Sequence, residues 1–259
     1  MNLGEKYMNR KILSGSSIKI IALISMVIDH FGQIVLKNGI VLNAPYQAFS
    51  DEQFAVLLKL VEGCHIIGRI AFPLFCFLLV EGFLHTHNLK KYILQLGIFA
   101  VLSEPIYDLA VAEKIFSMKQ QNVLFTLLLG IITLAIIKKC KENIPCTIMI
   151  TIISSLLSFV LHLDGWYYGI LLIVTLYVFH NRNITKYTLA IVIMFLCGLD
   201  FSLKALLDPY FITAACSLII VNFYSGERGI KLKYFFYAFY PIHLIAFYML
   251  ATYVIVPMF

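Results

Sequence analysis

A chain of 259 residues that is 61% hydrophobic and only 13% charged, with a mean hydropathy of +0.90, cannot hide its apolar surface in one water-soluble core. Soluble domains carry roughly 25% charged residues, so the composition excludes a soluble globular protein and points to an all-α, polytopic integral membrane protein. The net charge of +6 is accounted for by loops between spans, and no nucleic-acid partner is expected. The partner is the lipid bilayer, and abundant Phe and Tyr suit a lipid-facing and interfacial surface.

Residues 1–17, MNLGEKYMNRKILSGSS, form a short N-terminal segment with no signal-peptide ending, so the first span is expected to be retained. That span, IKIIALISMVIDHFG from Ile18 to Gly32, organises the chain. Extended through Leu36 it approaches the roughly 20 residues needed to cross a bilayer. Lys19 stands near its start and the pair Asp29-His30 near its far end. Lys19 and His30 are three helical turns apart on one face, roughly 16 Å along the axis. Asp29 points about 100° away from His30, so it cannot be taken as the group that orients it. Ionisable groups inside a span cost roughly 2.5–3.5 kcal/mol each and mark candidate functional sites.

Asn43, Pro45 and Asp51 then mark a loop, and DEQFAVLLKLVEG is expected to be a short amphipathic helix at the interface. The second span runs from Cys64 to Leu84, with Arg69 near one end and Glu81 and His85 near the other. The third runs from about Tyr92 to Ala112, and Pro105 should kink or end it. Further spans are expected at 122–137, 146–161, 166–179, 187–199, 209–223 and 234 to about 256. This gives nine spans, or ten if the helix at 54–61 dips inward, all in a single domain covering residues 1–259. Lys and Arg concentrate in the N-terminal segment and around Lys90, Lys138, Arg182 and Arg228, and are sparse at Lys37, Lys59, Lys114, Lys119 and Lys204. The positive-inside rule then places the N-terminus inside and the C-terminus outside a bacterial-type cytoplasmic (inner) membrane.

His30 is the candidate general base, because imidazole takes a proton near neutral pH. Arg69, a permanent cation in a span, needs an anion. A ligand phosphate fits its planar fork, and so does a structural partner among Asp29, Glu62 and Glu104. Glu81 and His85 share a helix face and, with Lys90, form a polar basic mouth suited to an anionic cofactor. Tyr240-Pro241-Ile242-His243 puts a phenol and an imidazole beside a proline kink in the last span. Asp164, Asp200 and Asp208 are read as solvated caps, His162 and His180 as structural. The six cysteines show no CxxC or His-rich spacing, so neither disulfides nor a metal site are expected.

The segments IALISMVIDHFG, GRIAFPLFCFLLVEGFLHTHNLKKY, SEPIYDLA, NVLFTLLLG and FFYAFYPIHL, in this order from Ile18 to Leu244, resemble the TraX family, whose namesake is associated with N-terminal acetylation of a conjugative pilin. The resemblance extends to membrane acyltransferases of the acyltransferase-3 group and the lysosomal heparan N-acetyltransferase. In acyltransferase-3 proteins a basic residue and a histidine recur on the first span at the spacing of Lys19 and His30. The closely spaced arginines of that group are absent here. The resemblance implies an acetyltransferase moving acetyl from cytosolic acetyl-CoA to an amine or hydroxyl of a peptide, glycan or lipid acceptor at or across the membrane. His30 and Asp29 would be catalytic; Lys19, Arg69, Glu81, His85, Lys90, Tyr240 and His243 would contact the donor. Two other readings stay open: a proton-coupled transporter, since intramembrane Asp, Glu, His and Arg also build proton relays, and a non-catalytic assembly protein. A homo-oligomer is compatible with either.

Overall fold

The computed structural model describes residues 12–198, 202–230 and 233–259. The cationic N-terminal residues Lys6, Arg10 and Lys11, the end of the 187–199 span, Asp200 and Lys231 lie outside the described residues. Helix follows helix: α1 (Gly15–His30), α2 (Asp51–Gly68), α3 (Ala71–His85), α4 (Leu89–Ala112), α5 (Val123–Lys139), α6 (Ile144–Val160), α7 (Trp166–Val178), α8 (Asn183–Cys197), α9 (Pro209–Asn222) and α10 (Lys233–Leu250). The described residues contain no strand beyond the isolated bridges Leu13–Tyr224 and Gln121–Leu163. The chain is thus all-α, as its composition requires.

Four segments are long and apolar enough to cross a membrane: Gly15–Val41, Asp51–His85, Leu89–Ala112 and Phe235–Met258. Helices α6 to α9 are apolar but shorter, below the usual spanning length of about 20 residues. Their outer faces are hydrophobic, with Ile152, Ile153, Leu156 and Val160 of α6 all exposed. Outside a bilayer such a face would be costly; against lipid it is the solvated side.

α3 is the hub. Apolar along most of its length, it packs against α1, α5, α7 and α9 and buries Leu74, Cys76, Leu79, Val80 and Phe83. Beside it α1 starts cleanly, because the Ser14 side chain caps the Ser17 N–H at 3.2 Å. Past His30 the same rod continues to Val41 with the wider turns of a π-helix, a departure that often accompanies functional sites. α10 runs alongside α1 in the same direction. Lys19 Nζ lies 4.7 Å from the Phe236 ring, His30 bonds His243, and Gly39 closely approaches Ala251. The C-terminal Phe259 therefore sits at the opposite end of the bundle from Lys19.

Two expectations need correction. The amphipathic segment after Asp51 is a full 18-residue helix, opened by a Ser50–Gln53 capping box, and not a short interfacial piece. The second span is not one rod from Cys64 to Leu84: the chain turns at Arg69 and Ile70, where the last N–H groups tighten onto Ile66 and Ile67. The physical reason is Pro73. It offers no N–H to the Arg69 carbonyl four residues back, and its ring crowds that carbonyl. Pro105, in contrast, does not end α4, which runs on to Ala112.

Candidate functional site

α1 carries two neighbouring ionisable residues that face different helices. Asp29 turns to α2, where its Oδ1 accepts a 2.8 Å bond from His65 Nδ1. Glycine makes this approach possible: a Cβ on Gly68 would come within 2.4 Å of the Asp29 carboxylate. Ser25 Oγ fastens the same helix end by donating to the Ile67 carbonyl at 2.6 Å. Gly68→Ala should therefore force Asp29 away from His65 and cost about 1–3 kcal/mol, the usual range for overpacking. Gly63→Ala, with nothing within 4 Å of its added methyl, should leave stability unchanged or slightly raised. Thermal melts of the two variants in detergent check the contrast.

His30 turns to α10. Its Nδ1 lies 2.7 Å from His243 Nε2, with the two rings nearly parallel at 9°, while His243 Nδ1 lies 2.8 Å from the Phe239 carbonyl oxygen. A carbonyl only accepts, so His243 Nδ1 carries the proton and, in the neutral ring, Nε2 is an acceptor. His30 must then donate from Nδ1. Its Nε2 is left with the lone pair, the arrangement a general base or nucleophile requires. Tyr240 stands edge-on to His30 at 6.0 Å between ring centroids.

Two cavities meet here. One, of about 530 Å³, opens at the Lys19 end and is lined by Lys19, Glu81, His85, Tyr92, Arg228 and Tyr237 among others. Its rim is fixed by backbone: the N–H groups of Gly15 and Ser16 bond the carbonyls of Glu227 and Arg228 at 2.7 and 3.0 Å, seating the Arg228 loop on the start of α1. Gly229 reaches this position at a φ of +72°, and any Cβ there would strike Ser16 Oγ. His85 Nδ1 bonds the Glu81 carbonyl at 2.9 Å and stays largely exposed.

The second cavity, of about 930 Å³, lies toward the other end and is lined by Asp29, His30, His65, Arg69, Gln120 and Asp164 together with an aromatic set that includes Phe72, Tyr107, Trp166, Tyr168 and Tyr210. The Arg69 guanidinium sits over the Tyr210 ring at 5.6 Å, and its Nε donates to the His65 carbonyl at 3.3 Å. Asp164, in the loop between α6 and α7, accepts a short bond from Gln120. Burial and the Asp29 charge push its carboxyl up to about 6, against the opposing pull of Arg69 and of the Gln120 bond. Met26, Phe75, Val123 and Tyr240 line both cavities. They form the wall between them.

Several expected positions shift. Arg69, expected to contact the donor, lines the second cavity and not the one that holds Lys19, Glu81 and His85, and its contacts are with Tyr210 and His65 rather than Asp29, Glu62 or Glu104. His243, expected to contact the donor, lines neither cavity and bonds His30. Lys90 is exposed and lines neither cavity. Asp164, read as a solvated cap, faces the second cavity, while Asp208 does cap α9 through the Tyr210 N–H at 3.0 Å. His65 escaped the sequence reading. The signal was the right angle between Asp29 and His30 on one helix, which demands two partners. Among the described residues no group of His, Cys, Asp and Glu is arranged to hold a metal ion.

With this geometry in hand, comparison with known proteins adds one family and one relative. The probable fimbrial assembly protein FimC, serogroup H1, of Dichelobacter nodosus is 29% identical over 255 residues, covering 92% of this chain and 96% of that protein. No solved structure matches. The family model described as TraX protein matches residues 14–251, a range that contains both cavities' charged residues and the His30–His243 pair, and the chain belongs to the TraX family.

Proposed function

We propose that this protein is a membrane acetyltransferase that takes acetyl-CoA into the Lys19 cavity and passes the acetyl group to an amine or hydroxyl of an acceptor held in the Arg69 cavity. One observation carries the reading: two cavities, one holding Lys19 and the other Arg69, share the lining residues Met26, Phe75, Val123 and Tyr240, and the imidazole beside Tyr240 has its lone pair fixed on Nε2. Lys19, His85 and Arg228 would meet the CoA phosphates and adenosine at the cavity mouth. The pantetheine arm would run along α1, whose rise from Lys19 to His30 is roughly 16 Å. His30 Nε2 would take the acceptor's proton as the amine or hydroxyl attacks the thioester carbonyl.

Incubating the purified protein with acetyl-CoA and measuring free CoA, with peptide, glycan and lipid acceptors added in turn, tests the reading. A rate of CoA release that no acceptor raises above the protein-free rate would refute it. The name of the Dichelobacter relative makes a fimbrial subunit the acceptor to try first. That name also supports a second reading, a non-catalytic role in fimbrial assembly, under which His30→Ala would leave assembly intact.

The cavity arrangement changes what Arg69 is expected to do. Arg69→Ala should leave the affinity for acetyl-CoA within about twofold, because the residue faces away from the donor mouth. It should raise the KM for a polar acceptor by about 10-fold or more, since hydrogen bonds to charged groups contribute about 1.5–3 kcal/mol. Titration calorimetry with acetyl-CoA and steady-state kinetics with the acceptor separate the two effects.

The donor mouth is assigned to the cytoplasmic face, where Lys19, Lys138 and Arg228 would also satisfy the positive-inside rule. Because α1 and α10 run in the same direction, a topology reporter fused after Phe259 should report the outer face. Cytoplasmic activity of that reporter would reverse the assignment of donor and acceptor sides.

A further inference from the structure

Tyr240 is 4% exposed, and its hydroxyl has no hydrogen-bond partner although the residue lines both cavities. A buried, unpartnered hydroxyl costs about 1–3 kcal/mol, so its retention at the junction calls for a ligand. Opposite it stands the first residue of α5. Val123 also lines both cavities, and its N–H bears on the Tyr240 oxygen without reaching hydrogen-bond geometry. That N–H is a first-turn amide that no intrahelical carbonyl can reach, at the positive end of a 17-residue helix. The helix end is held in place from behind. Glu104 Oε2 accepts the Asn122 N–H at 3.0 Å and also its side-chain amide, and Asn122 Oδ1 caps the Leu124 N–H at 2.9 Å.

We propose that the Tyr240 hydroxyl, backed by the N-terminus of α5, is the oxyanion donor for acetyl transfer. The inference rests on the acetyltransferase reading above and assigns to Tyr240 a role distinct from contact with CoA. As the acceptor nitrogen or oxygen bonds to the thioester carbon, the carbonyl π electrons move onto oxygen. The Tyr240 O–H donates to that oxyanion, and the Val123 N–H, aligned with the helix dipole, polarises the phenol. Collapse re-forms the carbonyl and breaks the C–S bond. The CoA sulfur leaves with the electron pair and takes up the proton that His30 removed from the acceptor. The charge develops on the carbonyl oxygen at the wall between cavities, within reach of both the base and the donor. Hydrogen bonds placed where charge appears in the transition state are typically worth about 10²–10³-fold in rate.

The test reads the thioester carbonyl itself. [1-13C]acetyl-CoA is bound to the full-length protein in lipid nanodiscs, binding is confirmed by calorimetry, and isotope-edited infrared difference spectra are recorded for the parent and for Tyr240→Phe. The bound carbonyl stretch should lie at lower wavenumber in the parent than in Tyr240→Phe, with acetyl-CoA affinity within about twofold. The same stretch in both proteins, each with donor bound, overturns the oxyanion assignment and leaves the acetyltransferase reading standing. A parent protein that does not bind acetyl-CoA overturns the acetyltransferase reading itself and this inference with it. Should Tyr240→Phe fail to fold, Val123→Pro gives the answer. Proline is favoured at the first position of a helix, and the preceding Asn122 already has the extended ψ of 157° that a following proline requires. Val123→Pro deletes the polarising N–H and sets a ring methylene in its place, so the stretch should move part of the way to higher wavenumber. No movement in that variant also overturns the assignment.

Discussion

A His30→Ala protein is expected to fold, to bind acetyl-CoA with unchanged affinity and to turn over at least about 10²-fold more slowly than the parent, the lower end of what a positioned general base contributes. Folding should survive because His30 is only partly buried and its side-chain hydrogen bond is to His243. Donor binding should survive because Lys19, His85 and Arg228 line the first cavity and His30 lines the second. Asp29→Asn is the informative companion. The carboxylate bonds His65 and not His30, so its loss should weaken stability or acceptor binding and leave the chemical step closer to normal. Equal turnover by well-folded His30→Ala and parent protein, with CoA release as the readout, would remove the base from the mechanism.

His243 should matter nearly as much, for a different reason. It touches neither donor nor acceptor in this arrangement; it fixes the tautomer of His30. Losing the group that holds a catalytic imidazole costs up to about 10⁴-fold in the serine-protease triad. Here the holder is a neutral imidazole backed by the Phe239 carbonyl rather than a carboxylate, so about 10–10²-fold in kcat is expected for His243→Phe. That substitution keeps the stacking on Phe239, where ring centroids are 5.2 Å apart, and deletes the acceptor nitrogen. His243→Gln retains an acceptor oxygen and should recover part of the loss. A merely structural histidine would show the reverse order, with the aromatic replacement tolerated better than the amide.

The sequence exposed the polar residues of this site more readily than their partners. A cation, an acid and an imidazole on the first apolar run are visible without any structure, and helix geometry alone puts Asp29 and His30 at a right angle. Which helices answer them is a question of contacts across 36 and 213 positions of chain, and no local pattern encodes that. The same gap explains Arg69. Its side of the bundle depends on the turn that Pro73 enforces, and a proline three residues inside an apolar run reads first as part of the run. The break was legible in principle, because a proline acts on the carbonyl four residues back. Gly68 was not, since its need for glycine comes from Asp29 on another helix.

The shared wall of Met26, Phe75, Val123 and Tyr240 has an electrical consequence. Under the proposed reaction the acetyl group crosses this wall as an acylium equivalent, because its bonding pair stays on the CoA sulfur, while the proton that the acceptor loses crosses the other way to that sulfur. The two cationic equivalents cancel, and each side of the wall keeps the charge it had. A single charge crossing the whole membrane would cost or gain roughly 2.3 kcal/mol per 100 mV. An exchange of acetyl for a proton escapes that field, so vesicles with and without a membrane potential should run the same chemistry at the same rate.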